Sequence, residues 1–169
     1  MSLPARIALV GFMGSGKTTV GRLLASRIGY TFFDSDDEIE SRARASVSDV
    51  FRVHGEAFFR ELEQGAIRDL LEGEGRVIAT GGGAFAQSRC AEDLLARAFT
   101  VHLACDFSEA LRRAAASGGR PLLDQDTAEV AALYAGRKDK YARAHASVDT
   151  TGRSPDEVVS DVLLRLPPS

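Results

Sequence analysis

Short, nearly continuous apolar runs alternate along this chain with longer stretches in which apolar residues recur every three or four positions. The first run, Ile7-Ala8-Leu9-Val10, leaves no polar position to alternate with, as expected of a strand covered on both faces. With its neighbour Arg6 it gives the first of five expected strands, at residues 6–10, 31–33, 76–80, 99–103 and 147–149. A helix is expected at about 17–28, with Val20, Leu23, Leu24 and Ile28 on one face and Gly29 as its C-cap. A second, at about 56–71, repeats Phe59, Leu62, Ala66 and Leu70. Ser108 is a candidate cap for a helix ending near Gly118 and Gly119, and Ser154, Pro155 and Glu157 form a capping box with proline at the first helical position. Strands alternating with helices predict an α/β fold of three layers, with five parallel strands between helices. No repeat, low-complexity tract or linker divides the 169 residues, so one domain over 1–169 is expected, with a mobile lid at about 115–126.

Composition changes this picture little. With 44% hydrophobic and 27% charged residues the chain reads as an ordinary soluble protein, and a net charge of -3 gives no support for a nucleic-acid partner. Cys90 and Cys105 lack metal-ligand spacing and are too few for a disulfide framework, so both are expected reduced and structural. The run at 7–10 is far short of the ~20 residues that span a bilayer. It leads at once into glycine and lysine, not a cleavage site, so a cytoplasmic protein without membrane attachment is expected. His54, His102 and His145 form no cluster and receive no chemistry.

Chemistry enters directly after the first strand. Residues 11–18, Gly-Phe-Met-Gly-Ser-Gly-Lys-Thr, satisfy G-x-x-x-x-G-K-[ST] between a strand pattern and a helix pattern. Gly11, Gly14 and Gly16 let the backbone turn so that N–H groups face phosphate oxygens, and the following helix adds its positive end. Gly14, Ser15, Gly16, Lys17, Thr18 and Thr19 are thus expected to hold the phosphates of a nucleotide, with Lys17 at the β/γ-phosphates and the Thr18 hydroxyl toward Mg²⁺. Such a loop binds a nucleotide without naming an acceptor.

Other residues bear on the acceptor, each with a plainer alternative. Asp34-Ser35-Asp36 follows the second strand, where its carboxylates suit a metal and a hydroxyl, or simply a helix cap. Arg60, between Glu56 and Glu63 at helical spacing, is either a surface ion pair or an arginine whose acidic neighbours aim its planar fork at a carboxylate. Gly81, Gly82 and Gly83 after the third strand permit close backbone approach to a ligand, or form a flexible turn. Arg120, beside Gly118 and Gly119, is either a cation on a closing lid or an incidental loop charge. Arg112, Arg113, Arg137 and Arg143 sit on helical patterns and read equally as solvated faces.

The P-loop, Phe-Phe-Asp-Ser-Asp at 32–36, Phe-Arg-Glu-Leu-Glu at 59–63, Thr-Gly-Gly-Gly at 80–83 and Arg-Pro-Leu-Leu at 120–123 together resemble the shikimate kinase family over essentially the whole chain. The resemblance implies a fold like the nucleoside monophosphate kinases, with strand order 2-3-1-4-5, and an ATP- and Mg²⁺-dependent phosphorylation of the shikimate 3-hydroxyl that feeds chorismate and aromatic amino-acid synthesis. It implies that Asp36 bonds the accepting hydroxyl, orienting it or taking its proton. Arg60 and Arg137 clamp the carboxylate, while Gly81, Gly82 and Gly83 hold ring hydroxyls through their backbone. Thr18 and Asp34 position Mg²⁺, Asp34 through water. Lys17 and Arg120 stabilise charge on the transferred group, and Arg113, Arg153 and Pro155 flank adenine. A monomer is implied. The chain departs from the family after Arg137, where Lys138-Asp139-Lys140-Tyr141 replaces the usual Pro-Leu-Tyr approach. Two rival readings keep much of this pattern: a kinase for another small hydroxy acid such as gluconate, and a non-catalytic ligand-binding module of the same fold.

Overall fold

The computed structural model describes residues 3–118 and 126–167. Its strands are β1 (Arg6–Val10), β2 (Thr31–Asp34), β3 (Arg76–Ala79), β4 (Phe99–Ala104) and β5 (Ala146–Asp149). All neighbours pair parallel, in the order β2-β3-β1-β4-β5. The expected sheet is present, and each strand boundary lies within one residue of its sequence-based position.

The helices are α1 (Lys17–Ile28), α2 (Ser35–Ala43), α3 (Val47–Leu70), α4 (Ser88–Arg97), α5 (Phe107–Ala116), α6 (Thr127–Tyr141) and α7 (Pro155–Arg165). Side chains alternate across β1, and that alternation divides the core. Ile7 and Leu9 join Val20 and Leu24 of α1 and Val158, Val159 and Val162 of α7 on one face. Ala8 and Val10 join Ile67 and Leu70 of α3, Leu94 of α4, Ala110 of α5 and Val130 of α6 on the other. The four residues at 7–10 are fully buried, which is why their run lacks polar positions.

Helix ends follow local chemistry closely. Gly29 closes α1 in the left-handed region at φ 72°. Ser154 Oγ accepts from Glu157 N–H while the Glu157 carboxylate accepts from Ser154 N–H, completing the expected capping box behind Pro155. Two expectations need correction. Residue Ser108 lies inside α5, whose flanking residue is Asp106. The helix expected from 56 begins nine residues earlier, at Val47, and bends at Gly55, where φ 82° and ψ 175° are open to glycine and strained for other residues. The early arm packs through Val50 into a small third cluster with Ile39, Phe59 and Ala66, and leaves Phe51 and Val53 exposed, which blurs its periodicity. The expected lid lies largely in residues 119–125, outside the described residues, and Arg120 with it.

Candidate active site

The turn after β1 is pinned from two sides. Gly14, at φ 73°, approaches the Ala110 carbonyl so closely that a Cβ would sit 2.1 Å from the oxygen, while a Cβ at Gly11 would meet the Leu103 carbonyl oxygen at 2.6 Å. Helix α1 then starts without a side-chain cap, so its first N–H groups and positive end face the loop. The buried Ser15 hydroxyl has no hydrogen-bond partner among the described residues. Lys17 Nζ donates to the carbonyls of Gly11 at 2.8 Å and Phe12 at 3.0 Å, which lays the ammonium across the cradle. Burial lowers its pKa to about 8; Asp36 and Asp34 oppose the shift, and Arg137 adds to it. Thr19 is exposed on the first turn of α1.

No loop separates β2 from α2. Asp34 ends the strand and caps the helix, accepting from Asp36 N–H at 3.0 Å with one oxygen and from the Thr18 hydroxyl at 2.8 Å with the other. The helix-cap reading of this segment therefore holds, and the cap is Asp34. Asp36, in the first turn, faces Gly81; a Cβ there would meet Asp36 Oδ1 at 2.8 Å and Glu63 Oε1 at 3.2 Å. Burial, then the charges of Asp34 and Glu63, raise the Asp36 carboxyl to about 6 against the pull of Lys17. Gly81 N–H is already committed to Ser35 Oγ at 3.0 Å. At this residue the segment contributes space and not a free donor.

Arg60 and Arg137 reach the same place from α3 and α6. A Cβ on Gly83 would lie 2.8 Å from Arg60 Nη2 and 3.0 Å from Arg137 Nη2. Arg60 Nη1 donates to Glu63 at 2.7 Å, and Glu63 is only 1% exposed, so this is not a surface ion pair. Burial raises the Glu63 pKa, and the Arg60 charge works against that rise. Arg137 Nη1 and the Tyr141 hydroxyl both donate to the Gly82 carbonyl, and Tyr141 stacks on His102 with ring centres 4.9 Å apart. Burial and the nearby Lys17 push His102 down to about 4, so it is neutral at ordinary pH. Lys138, Asp139 and Lys140 are exposed on α6, and the departure from the family pattern leaves the Arg137 contacts in place.

The structure thus gathers Lys17, Thr18, Asp34, Asp36, Arg60, Gly81, Gly82, Gly83 and Arg137 at the C-terminal end of the sheet, where open α/β folds bind ligands. Arg113, Arg153 and Pro155 form a separate group to one side. Arg113 donates to the Thr150 carbonyl at 2.8 Å and pairs with Glu109, while Arg153 donates to the Asp149 carbonyl at 2.9 Å just before Pro155 opens α7. Sequence reading missed Ser35, Tyr141 and the buried state of Glu63. For Ser35 a signal existed in its place between two candidate carboxylates; for Glu63 none distinguishes a buried partner from a surface one.

A cavity of about 340 Å³ near Leu3, Arg6, Arg97 and His145 shares no residue with this cluster and lies at the opposite end of the strands. Among the described residues no group of three or more His, Cys, Asp or Glu could hold a metal, and no helix is long and apolar enough to cross a membrane.

The family model "SKI: Shikimate kinase" matches residues 13–167. A shikimate kinase of Geobacter sulfurreducens is 43% identical over 167 residues, covering 96% of this chain and 92% of its own. The solved shikimate kinase of Acinetobacter baumannii in complex with shikimate is 36% identical, with a TM-score of 0.90 over 96% of this chain and 92% of that one. A gluconokinase from Sinorhizobium meliloti superposes with a TM-score of 0.61 at 19% identity, a likeness of fold alone. Strand order, cradle, arginine pair and full-length relatives agree: this chain belongs to the shikimate kinase family.

Proposed function

We propose that the chain transfers the γ-phosphoryl group of ATP to the 3-hydroxyl of shikimate, giving shikimate 3-phosphate and ADP in the synthesis of chorismate and the aromatic amino acids. The observation that carries this reading is the convergence of two arginine forks, Arg60 and Arg137, on Gly83, beside a carboxylate that faces Gly81 and feels Lys17. A small carboxylate bearing hydroxyls matches that set: two guanidinium groups for its anion and one aspartate for its hydroxyl.

Phosphoryl transfer asks the protein mainly to position the partners and neutralise charge. The cradle from Gly14 to Thr19 holds the phosphates by backbone N–H groups. Lys17 places its ammonium on the transferred group, and Arg120 is assigned to close over it. At neutral pH Asp36 is ionised but close to its pKa of about 6, which suits a group that orients a hydroxyl and accepts its proton. The hydroxyl of Thr18 and carboxylate of Asp34, 2.8 Å apart at the cradle, are hard oxygen donors. They fit Mg²⁺, which is commonly held by one or two protein oxygens together with phosphates and water. When bound, the ion would neutralise phosphate charge. Arg113, Arg153 and Pro155 are assigned to the adenine side. Action as a monomer in the cytoplasm, where ATP is available, completes the proposal.

The test is ADP release from Mg-ATP with shikimate, with gluconate and without acceptor. A rate with shikimate well above the other two is expected. A rate no higher than the blank would sink the proposal and favour a non-catalytic module, while a faster rate with gluconate would favour the other kinase reading.

A further inference from the structure

Residues 81–83 are three glycines, so no side chain of their own holds the turn on which the two arginine forks converge. Glycine leaves its backbone more freedom than any other residue, and a site that binds must have that freedom removed beforehand. Two other elements remove it. From α2, the fully buried Ser35 accepts Gly81 N–H with its Oγ at 3.0 Å. From α6, Arg137 Nη1 and the Tyr141 hydroxyl both donate to the Gly82 carbonyl, which occupies the two lone pairs of that oxygen. A peptide unit is planar, so fixing this oxygen also fixes the Gly82–Gly83 link and the direction of Gly83 N–H.

Tyr141 has little freedom itself. It follows Arg137 by four residues on α6, so the two side chains share one face of the helix. It is 3% exposed, and its ring stacks on His102, the β4 residue paired with Val10 just before the phosphate cradle. Burial pushes its hydroxyl up to about 12 against the pull of Arg137, so it stays protonated and remains a donor at any working pH. That proton is committed to a backbone carbonyl, so Tyr141 is not placed to exchange one with a substrate. Arg137, by contrast, divides its guanidinium. Nη1 is on the Gly82 carbonyl, Nη2 lies toward Gly83, and the group stands 5.8 Å from the centre of the Phe12 ring. Without the Tyr141 hydroxyl, Arg137 would be the sole donor to the Gly82 carbonyl among the described residues, and both ends of that bond would be freer to shift.

We propose that Tyr141 is a positioning residue for the acceptor: its hydroxyl, braced by the His102 ring, holds the Gly82 carbonyl and so sets where the Arg137 fork meets the acceptor carboxylate. Its role rests on the assignment of Arg137 to shikimate proposed above.

Steady-state turnover of Mg-ATP and shikimate is measured in wild type, Tyr141→Phe, Arg137→Lys and the double variant, with melting followed by circular dichroism. A wild type without shikimate-dependent turnover would defeat the proposed function and this role with it; every other outcome bears on Tyr141 alone. Tyr141→Phe keeps the ring and its stack and loses only the hydroxyl. Its KM for shikimate should rise ~3–10-fold, the scale of one hydrogen bond, with kcat within about twofold of wild type and the KM for ATP unchanged. In the Arg137→Lys background the same substitution should raise that KM by less than about twofold more, because the fork it positions is gone. A merely structural hydroxyl would lower the melting temperature and leave the KM for shikimate unmoved, which would overturn the proposal. Equal rises in both backgrounds would make Tyr141 independent of Arg137, and a rise in both KM values would mean general loosening; either result refutes it. Should Tyr141→Phe melt below the assay temperature, His102→Leu takes its place, keeping the hydroxyl and removing its flat support. The KM for shikimate alone should then rise, and an unchanged value would sink the inference.

Discussion

The donor and acceptor halves of the proposed site are built on different principles. The donor half is one contiguous segment, residues 11–18, whose groups are mainly backbone N–H and a helix end. The acceptor half is assembled from α2, α3, the turn after β3, and α6, and its groups are charged side chains that hold one another: Glu63 under Arg60, Tyr141 beside Arg137, Ser35 behind Gly81. A backbone site tolerates the loss of a neutral side chain. A side-chain site does not, because each buried charge removed leaves another exposed to an apolar surrounding.

The largest effect should come from the acceptor half. Asp36→Asn is expected to lower kcat by ~10²–10⁴-fold with little change in ATP affinity, as loss of a proton acceptor does. In the wild type kcat/KM for shikimate should fall as pH drops through about 6, where Asp36 becomes protonated. The same substitution should stabilise the fold. A carboxyl raised from 3.8 to about 6 costs stability as pH climbs through that interval, so at pH 7 the variant should gain about 1–2 kcal/mol in urea unfolding. A variant both inactive and less stable would show Asp36 to be structural.

Next comes Arg60→Lys, which leaves Glu63 a cationic partner but removes the planar fork. The KM for shikimate should rise by about tenfold, the scale of one charge-assisted hydrogen bond, at unchanged KM for ATP. An equal rise in both would move Arg60 to the donor half and erase the contrast.

The smallest effect is expected at Ser15→Ala in the cradle. Its hydroxyl is buried without a partner among the described residues, so the substitution should change the KM for ATP by less than about threefold and leave stability equal or up to about 1 kcal/mol higher. A loss comparable to that at Arg60 would show that the donor half also depends on its side chains.

The same contrast explains what the sequence revealed. The five strands and the cradle were legible because their signals are local: an unbroken apolar run for β1, and eight consecutive residues for the loop. Candidate acceptor residues could be named by resemblance, yet spacing alone left Arg60 evenly balanced between a surface pair and a clamp. The fact that excludes the surface pair, the burial of Glu63, arises from packing of α3 against the sheet and has no local sign. The early arm of α3 was missed for a related reason, since it packs on a small cluster and keeps Phe51 and Val53 outside. Helix α4, with Cys90, Ala91 and Leu94 buried, went unread as well.

The direct passage from β2 into α2 has one further consequence, for heat. β2 is four residues long and lies at the edge of the sheet, paired to β3 alone, yet its last residue positions both the Thr18 contact and the turn that carries Asp36. Edge strands fray before central ones, because half of their backbone groups have no strand to hold them. Warming is therefore expected to loosen the Asp36 carboxylate before the core melts, so that activity fades at a lower temperature than the unfolding transition.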